Sequence, residues 1–276
     1  MQNIKYYYDL LSPACRSIML LLKAENILFK GVSISNKDYL INDYKHLNPL
    51  KTLPFIIDNN FKLTECSAIL KYLFCKYQLP NHWYPQEFKK QSKIDEYISW
   101  HNYNTGLHCQ MYYDHKVSFQ PVDYHALNKW KNLTENTLDQ LEYYWLPMLN
   151  NINSKDLKDP ENVHGISENC YTNNMGIEIN LAHLLISCSL MQPYVAGWDV
   201  VTQDRPILVQ FFANLKQQLA KIRNQSTNLD VPFKENNKYE VETTNQERDD
   251  IFYSVHKEAL DLRNVLYQQG KIVLGC

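Results

Sequence analysis

No two cysteines in this 276-residue chain stand in C-x-x-C spacing, although there are seven of them. An odd, scattered set argues against a disulfide scaffold and against a structural zinc site. It fits a reducing cytosol, so a cytoplasmic location is expected. Long hydrophobic runs are missing too. The longest apolar stretch, around Ile18 to Leu22, is far shorter than a membrane span, and no membrane insertion is expected. The opening MQNIKYYYDLLSPACRS holds no basic region followed by an apolar one, so no signal peptide is expected. Without secretion, the glycosylation sequons at Asn132 and Asn224 read as chance matches. An excess of one charge is also lacking. A formal net charge of -2 gives no electrostatic reason to expect nucleic acid or an anionic membrane as a partner. What remains is ordinary globular composition, 45% apolar and 21% charged, in a chain long enough for two domains.

The first eighty residues alternate in character. Lys5 to Asp9 is aromatic-rich and reads as a strand. Ser12-Pro13 opens a helix through about Ala24, and Leu28 to Ile34 reads as a second strand. A short polar helix is expected over Asp38 to His46. Leu53 to Asp58 and Phe61 to Thr64 form two strands around Asn59-Asn60, a hairpin turn pair. A helix follows from Glu65 to Tyr77. The order βαβ, α, ββα is an α/β layer of thioredoxin size. Leu79 to Gln86, with two prolines, reads as a linker. This places one domain at 1–80, a linker at 81–90 and a second domain at 91–276. Strand signals then vanish. Helices are expected at 88–117, 123–150, 180–192 and 205–224. In the second of these, Leu127, Trp130, Leu133, Leu138, Leu141 and Trp145 make an amphipathic stripe for the core. Residues 153–179 read as a long polar loop. Thr244-Asn245-Gln246-Glu247 has capping-box spacing at the start of a final helix. The fold expected is an α/β thioredoxin-like N-terminal domain plus an all-α helical-bundle C-terminal domain.

Ser12 sits where a strand becomes a helix, and serine followed by proline is a favoured helix opening. Capping alone accounts for it. A functional reading adds that an oxygen at a helix N-terminus points where an anion is stabilised. Ser12-Pro13-Ala14-Cys15 also has thiol-redox spacing, but a serine stands where the attacking cysteine would be, which weakens a thiol-transferase reading. His101, His108 and His115 recur every seven residues. Neighbours in that series lie roughly 10 Å apart on a helix, too far to share one ion, so no metal is expected.

Several segments together carry a resemblance. Tyr8-Asp9-Leu10-Leu11-Ser12 with Cys15-Arg16, then Asn48-Pro49-Leu50-Lys51-Thr52-Leu53-Pro54, resemble the theta-class glutathione transferases. So do Leu63-Thr64-Glu65-Cys66-Ser67-Ala68-Ile69-Leu70, Trp83-Tyr84-Pro85 and Asp95-Glu96-Tyr97, in order. The likeness is strong over residues 5–117 and fades through the helical half. It implies a glutathione site in residues 1–80. Ser12 would donate a hydrogen bond to the glutathione sulfur. Leu53, before a cis Pro54, would pair its backbone with the cysteinyl unit. Glu65 would meet the γ-glutamyl ammonium, and Cys66 the γ-glutamyl carboxylate. Thr52 and Tyr39 would complete the site. Glutathione is the implied co-substrate, and a homodimer the implied assembly.

The serine's role can be sized. A free thiol ionises near pKa ~8.5, so little of it is thiolate at neutral pH. A hydrogen bond to a charged acceptor contributes roughly 1.5–3 kcal/mol, which lowers that pKa by about one to two units. No metal and no further base are needed.

The sequence departs from the family pattern at several points. Cys66 stands where the family has serine, Thr52 where a lysine is common, and Tyr39 in place of a histidine. Gly106 and Leu107 replace arginines, and His183 replaces a helix-capping aspartate. Leu107 and Met111, one turn apart, are candidates for an electrophile pocket, with core packing as the alternative. The expected activity is glutathione conjugation to small electrophiles in detoxification, with hydroperoxide reduction as a related use. The alternative is a non-catalytic ligand-binding relative.

Overall fold

The computed structural model describes residues 4–34, 46–118, 121–152, 178–202, 204–226 and 251–269. The first half runs β1 (Ile4–Tyr8), α1 (Pro13–Ala24), β2 (Lys30–Ser33), β3 (Phe55–Asp58), β4 (Phe61–Thr64) and α2 (Cys66–Tyr77). The sheet order is β2-β1-β3-β4. β1 pairs parallel with β2 and antiparallel with β3, and β3 pairs antiparallel with β4. A parallel pair needs a crossover, which α1 supplies. The β3–β4 hairpin turns at Asn59-Asn60, with Asn59 at φ 55, a left-handed backbone that asparagine tolerates. This is the thioredoxin-like arrangement the residue pattern implies. The short helix expected at 38–46, and Tyr39 with it, lies outside the described residues except for His46.

Among the described residues no strand follows Thr64. The second half holds α3 (Phe88–Tyr103), α4 (Thr105–Tyr113) with a wide π turn at Asp114–Ser118, and α5 (Tyr124–Gln140). A second π turn, Leu141–Trp145, leads into α6 (Leu146–Asn150). Then come α7 (Leu181–Val195), α8 (Pro206–Ser226) and α9 (Ile251–Gln268). The helix expected as one piece over 88–117 is broken at Asn104, whose backbone sits at φ -122, ψ -92. The cause is local. Asn104 Nδ2 donates to the Trp100 carbonyl, and its own N–H is shared between the Trp100 and His101 carbonyls. A short amide side chain here competes with the helical ladder. Of the predicted stripe, which runs over α5 and the π turn after it, Leu127, Leu138, Leu141 and Trp145 are buried and Trp130 and Leu133 half-buried. Most of the expected 153–179 loop and the Thr244 capping box fall outside the described residues.

Two helices join the halves. α1 is buried from Cys15 to Leu22, and α7 along its whole length except Tyr194. Helices buried to this extent are covered on more than one side. The sheet covers one face of α1 and α7 the other, and their residues share one core in which Ile4, Leu20 and Leu70 belong with Leu184 and Leu215.

His183 gives α7 its start. Asn180 is the N-cap, and its Oδ1 accepts from the Ala182 and His183 N–H groups. His183 Nδ1 in turn accepts from the Asn180 N–H at 3.0 Å, closing a capping box. The imidazole thus takes the place of the acidic side chain usual at that position. It can do so only while Nδ1 carries no proton.

Candidate active site

Between the start of α1, the Leu53–Pro54 turn, the start of α2 and the α3–α4 break lies a cleft of about 410 Å³. Ser12, Thr52, Leu53, Glu65 and Cys66 all line it. The structure therefore gathers in one place every expected glutathione contact that it describes.

Ser12 is the N-cap of α1 at φ -79, ψ 125, and its Oγ accepts from the Cys15 N–H at 3.5 Å. That bond uses a lone pair. A hydroxyl has a second lone pair and one O–H to give, so capping and donation to a sulfur are compatible. The Ser12 N–H donates to the Asp9 carbonyl, which holds the turn in place. Leu53–Pro54 is cis. Glu65 is the exposed N-cap of α2 at φ 68, ψ 119, and its carboxylate makes no cap bond. A non-glycine residue in that region is strained and persists where its surroundings impose it, often at ligand sites. Two helix N-termini thus open on one cleft, and neither first turn carries an acidic side chain. Their dipoles favour an anion there.

The surroundings of the cysteines nearby disfavour their thiolate forms. Cys15 is buried, and desolvation pushes its thiol pKa up to about 11. Its Sγ accepts from the Asp9 N–H. Cys66 donates its S–H to the Ala14 carbonyl at 3.2 Å, and burial raises its pKa well above the ordinary value. This leaves a thiol-transferase reading without an attacking thiol.

The far wall differs from expectation. Leu107 and Met111 are not among the residues lining the cleft, and Leu107 is 39% exposed. Asn102, Gly106 and Gln110 line it instead, with His101, Leu185 and Ser189. The expected pair is displaced by one position, which is about 100° around a helix axis. The signal that finds the right face is the four-residue spacing of polar or small residues at 102, 106 and 110. Gly106 sits close against His101: a β-carbon there would stand 3.0 Å from His101 Nε2, tighter than an ordinary contact. The three spaced histidines go to separate neighbours: His101 to Tyr97 and Ser189, His108 to Thr137, His115 to the Trp130 ring.

Residues 7–81 match the family model for the glutathione S-transferase N-terminal domain. The chain is 31% identical to glutathione S-transferase theta-1 of Mus musculus, over 79% of this chain and 84% of that one. This chain belongs to the glutathione S-transferase family. The human theta-1 enzyme is 32% identical over 75% of this chain and 79% of its own length. The structure of human glutathione S-transferase T1-1 in its apo form superposes with a TM-score of 0.69 at 25% identity, covering 95% of this chain and 91% of that one. The theta-class resemblance of the motifs and the thioredoxin-like-plus-helical fold are thereby shown. These relatives are transferases, and none favours the non-catalytic alternative.

Proposed function

We propose that the chain binds glutathione in this cleft and transfers its thiolate to small electrophiles by substitution or addition, with hydroperoxide reduction as a second use of the same thiolate. The observation that carries this reading is the convergence of Ser12, Thr52, Leu53, Glu65 and Cys66 on one cleft at two helix N-termini. The structure of human theta-2 in complex with glutathione, 20% identical with a TM-score of 0.67, shares this fold. In the proposed assignment Ser12 donates to the sulfur, and Leu53 offers its backbone to the cysteinyl unit. Glu65 meets the γ-glutamyl ammonium. Cys66 and the N–H groups at the start of α2 face the γ-glutamyl carboxylate. Residues 1–80 form the glutathione-binding domain, 81–90 the linker and 91–276 the helical domain. A cytoplasmic location follows the composition. Calorimetric titration with glutathione, then conjugation assays on a panel of electrophiles, tests the reading. Binding without turnover on any electrophile would turn it into ligand binding, and no binding would end it.

Cys66→Ser is expected to tighten glutathione about five-fold, because a hydroxyl donates to a carboxylate better than a thiol does, by about 1 kcal/mol. The thiol's present bond to the Ala14 carbonyl is weak enough to give up. Titration of parent and variant at one pH checks this, and weaker binding by the variant would remove Cys66 from the proposed contact set.

The proposed assembly is a homodimer with isologous contacts. Light scattering in dilute neutral buffer should return about twice the 32.7 kDa chain mass. A monomer at all concentrations would refute it.

A further inference from the structure

Behind the cleft a chain of hydrogen bonds runs from the Ser12 turn to the far wall. Arg16 is wholly buried at the first turn of α1. Its Nη1 donates to the Leu10 carbonyl at 2.8 Å and the Leu11 carbonyl at 3.0 Å, the two groups just before Ser12. Its Nη2 donates to the Cys188 carbonyl at 2.9 Å and to Gln192 Oε1 at 2.8 Å on α7. Gln192 Nε2 donates to Gln110 Oε1 at 2.9 Å, and Gln110 Nε2 donates to Asp114 Oδ1 at 3.1 Å.

The two amides in this chain have no freedom to flip. An amide can ordinarily turn either end toward a neighbour, and its orientation follows from the network around it. Arginine has donors only. Arg16 therefore demands the oxygen of Gln192, which leaves Gln192 its NH2 to offer. That NH2 demands the oxygen of Gln110, which leaves Gln110 its NH2. The carboxylate of Asp114 accepts one of those hydrogens and enforces the same orientation from the other end. Gln110 lines the cleft. Its second amide hydrogen is the one the relay leaves uncommitted on that side chain.

We propose that Gln110 presents an N–H donor to the bound electrophile, so that this cleft favours electrophiles whose charge-gaining atom is a good hydrogen-bond acceptor. Arg16 and Gln192 are positioning residues that hold the amide in that sense. The inference rests on the glutathione reading above. For an α,β-unsaturated ketone, the thiolate sulfur bonds to the β-carbon, the C=C π pair moves into the bond between the α-carbon and the carbonyl carbon, and the C=O π pair moves onto the oxygen. The resulting enolate takes a proton from water at the α-carbon. A donor aimed at the oxygen favours that transition state over the ground state.

The experiment compares such an enone with a primary alkyl iodide, whose large leaving anion accepts hydrogen bonds weakly. In Gln110→Met the enone kcat should fall about ten-fold or more, and the iodide kcat by less than about two-fold, with glutathione affinity unchanged in calorimetry. A second variant leaves Gln110 in place. Gln192→Glu keeps an acceptor for Arg16 but puts a carboxylate where a donor held the Gln110 oxygen, so the Gln110 NH2 is drawn between two carboxylates and its free hydrogen is lost to the cleft. The same selective loss on the enone is expected. If both variants keep the parental enone-to-iodide ratio while glutathione still binds and reacts, this inference is overturned and the glutathione reading stands. If the parent does not bind glutathione, both fall.

Discussion

Ser12→Ala is expected to bind glutathione nearly as well as the parent and to conjugate it at least ten-fold more slowly, by about 1.5–3 kcal/mol of lost thiolate stabilisation. The fold should survive. At 3.5 Å the bond from the Cys15 N–H to Ser12 Oγ is long, and Pro13 at the first helical position presets the backbone whether or not a hydroxyl precedes it. The pH–rate profile gives the sharper readout. Without the hydroxyl the bound thiol should ionise about one to two units higher, and the ascending limb of kcat/KM should move up by that amount. Absorbance of the bound thiolate should fall in parallel at neutral pH. An unchanged rate and an unchanged limb would leave Ser12 as a helix cap and nothing more.

Acidification below about pH 6.5 is expected to destabilise the protein through two buried histidines. His183 holds the α7 capping box through an unprotonated Nδ1, with Nε2 3.2 Å from Asn150 Oδ1, and desolvation lowers its pKa to about 3. His101 lies between the Tyr97 hydroxyl and Ser189, and desolvation lowers its pKa to about 4. Both folded pKa values lie below the unfolded one. The unfolded chain therefore binds more protons in this window, and stability is full above about pH 6.5 and lost as pH falls toward the folded values. At about pH 5 each histidine accounts for roughly 2 kcal/mol at 1.36 kcal/mol per unit. Against a typical stability of about 5–15 kcal/mol that is a large loss. Urea midpoints measured near pH 7.5 and pH 5 should differ accordingly. His183→Asn keeps an oxygen acceptor and cannot titrate, so it should remove about half of the pH dependence. A slope equal to the parent's would show that His183 is not a source of acid lability.

Much of the first half was legible because its signals are local. Ser12-Pro13 starts a helix whatever surrounds it, and Asn59-Asn60 between two apolar runs turns a hairpin. The proposed glutathione contacts came from a different source: they sit in short motifs, Asn48 to Pro54 and Leu63 to Leu70, whose spacing the family resemblance carries. The helical half was readable as helices but not as a wall. Leu107 and Met111 have the apolar character of a substrate pocket, yet the cleft is lined by their neighbours Gly106 and Gln110 and not by them. The turn at Asn104 sets which side of α4 faces inward. It depends on an amide reaching back to the Trp100 carbonyl, which no hydrophobic periodicity reports.

The sequence by itself determined the order of strands and helices in the first half, the N-cap at Ser12 and a helix start near Glu65. Each of these rests on residues within a turn or two of one another. Only the tertiary structure decided which side chains share the cleft, that Cys66 is turned to the Ala14 carbonyl, and that an imidazole completes the α7 cap. It alone set the sense of the Gln110 amide, because that is dictated by Arg16 through Gln192, a partner 176 positions along the chain. Local propensity cannot specify such a relation. It exists only after α1 and α7 have packed, when burial leaves each polar group the few partners within reach and donor must meet acceptor down the line.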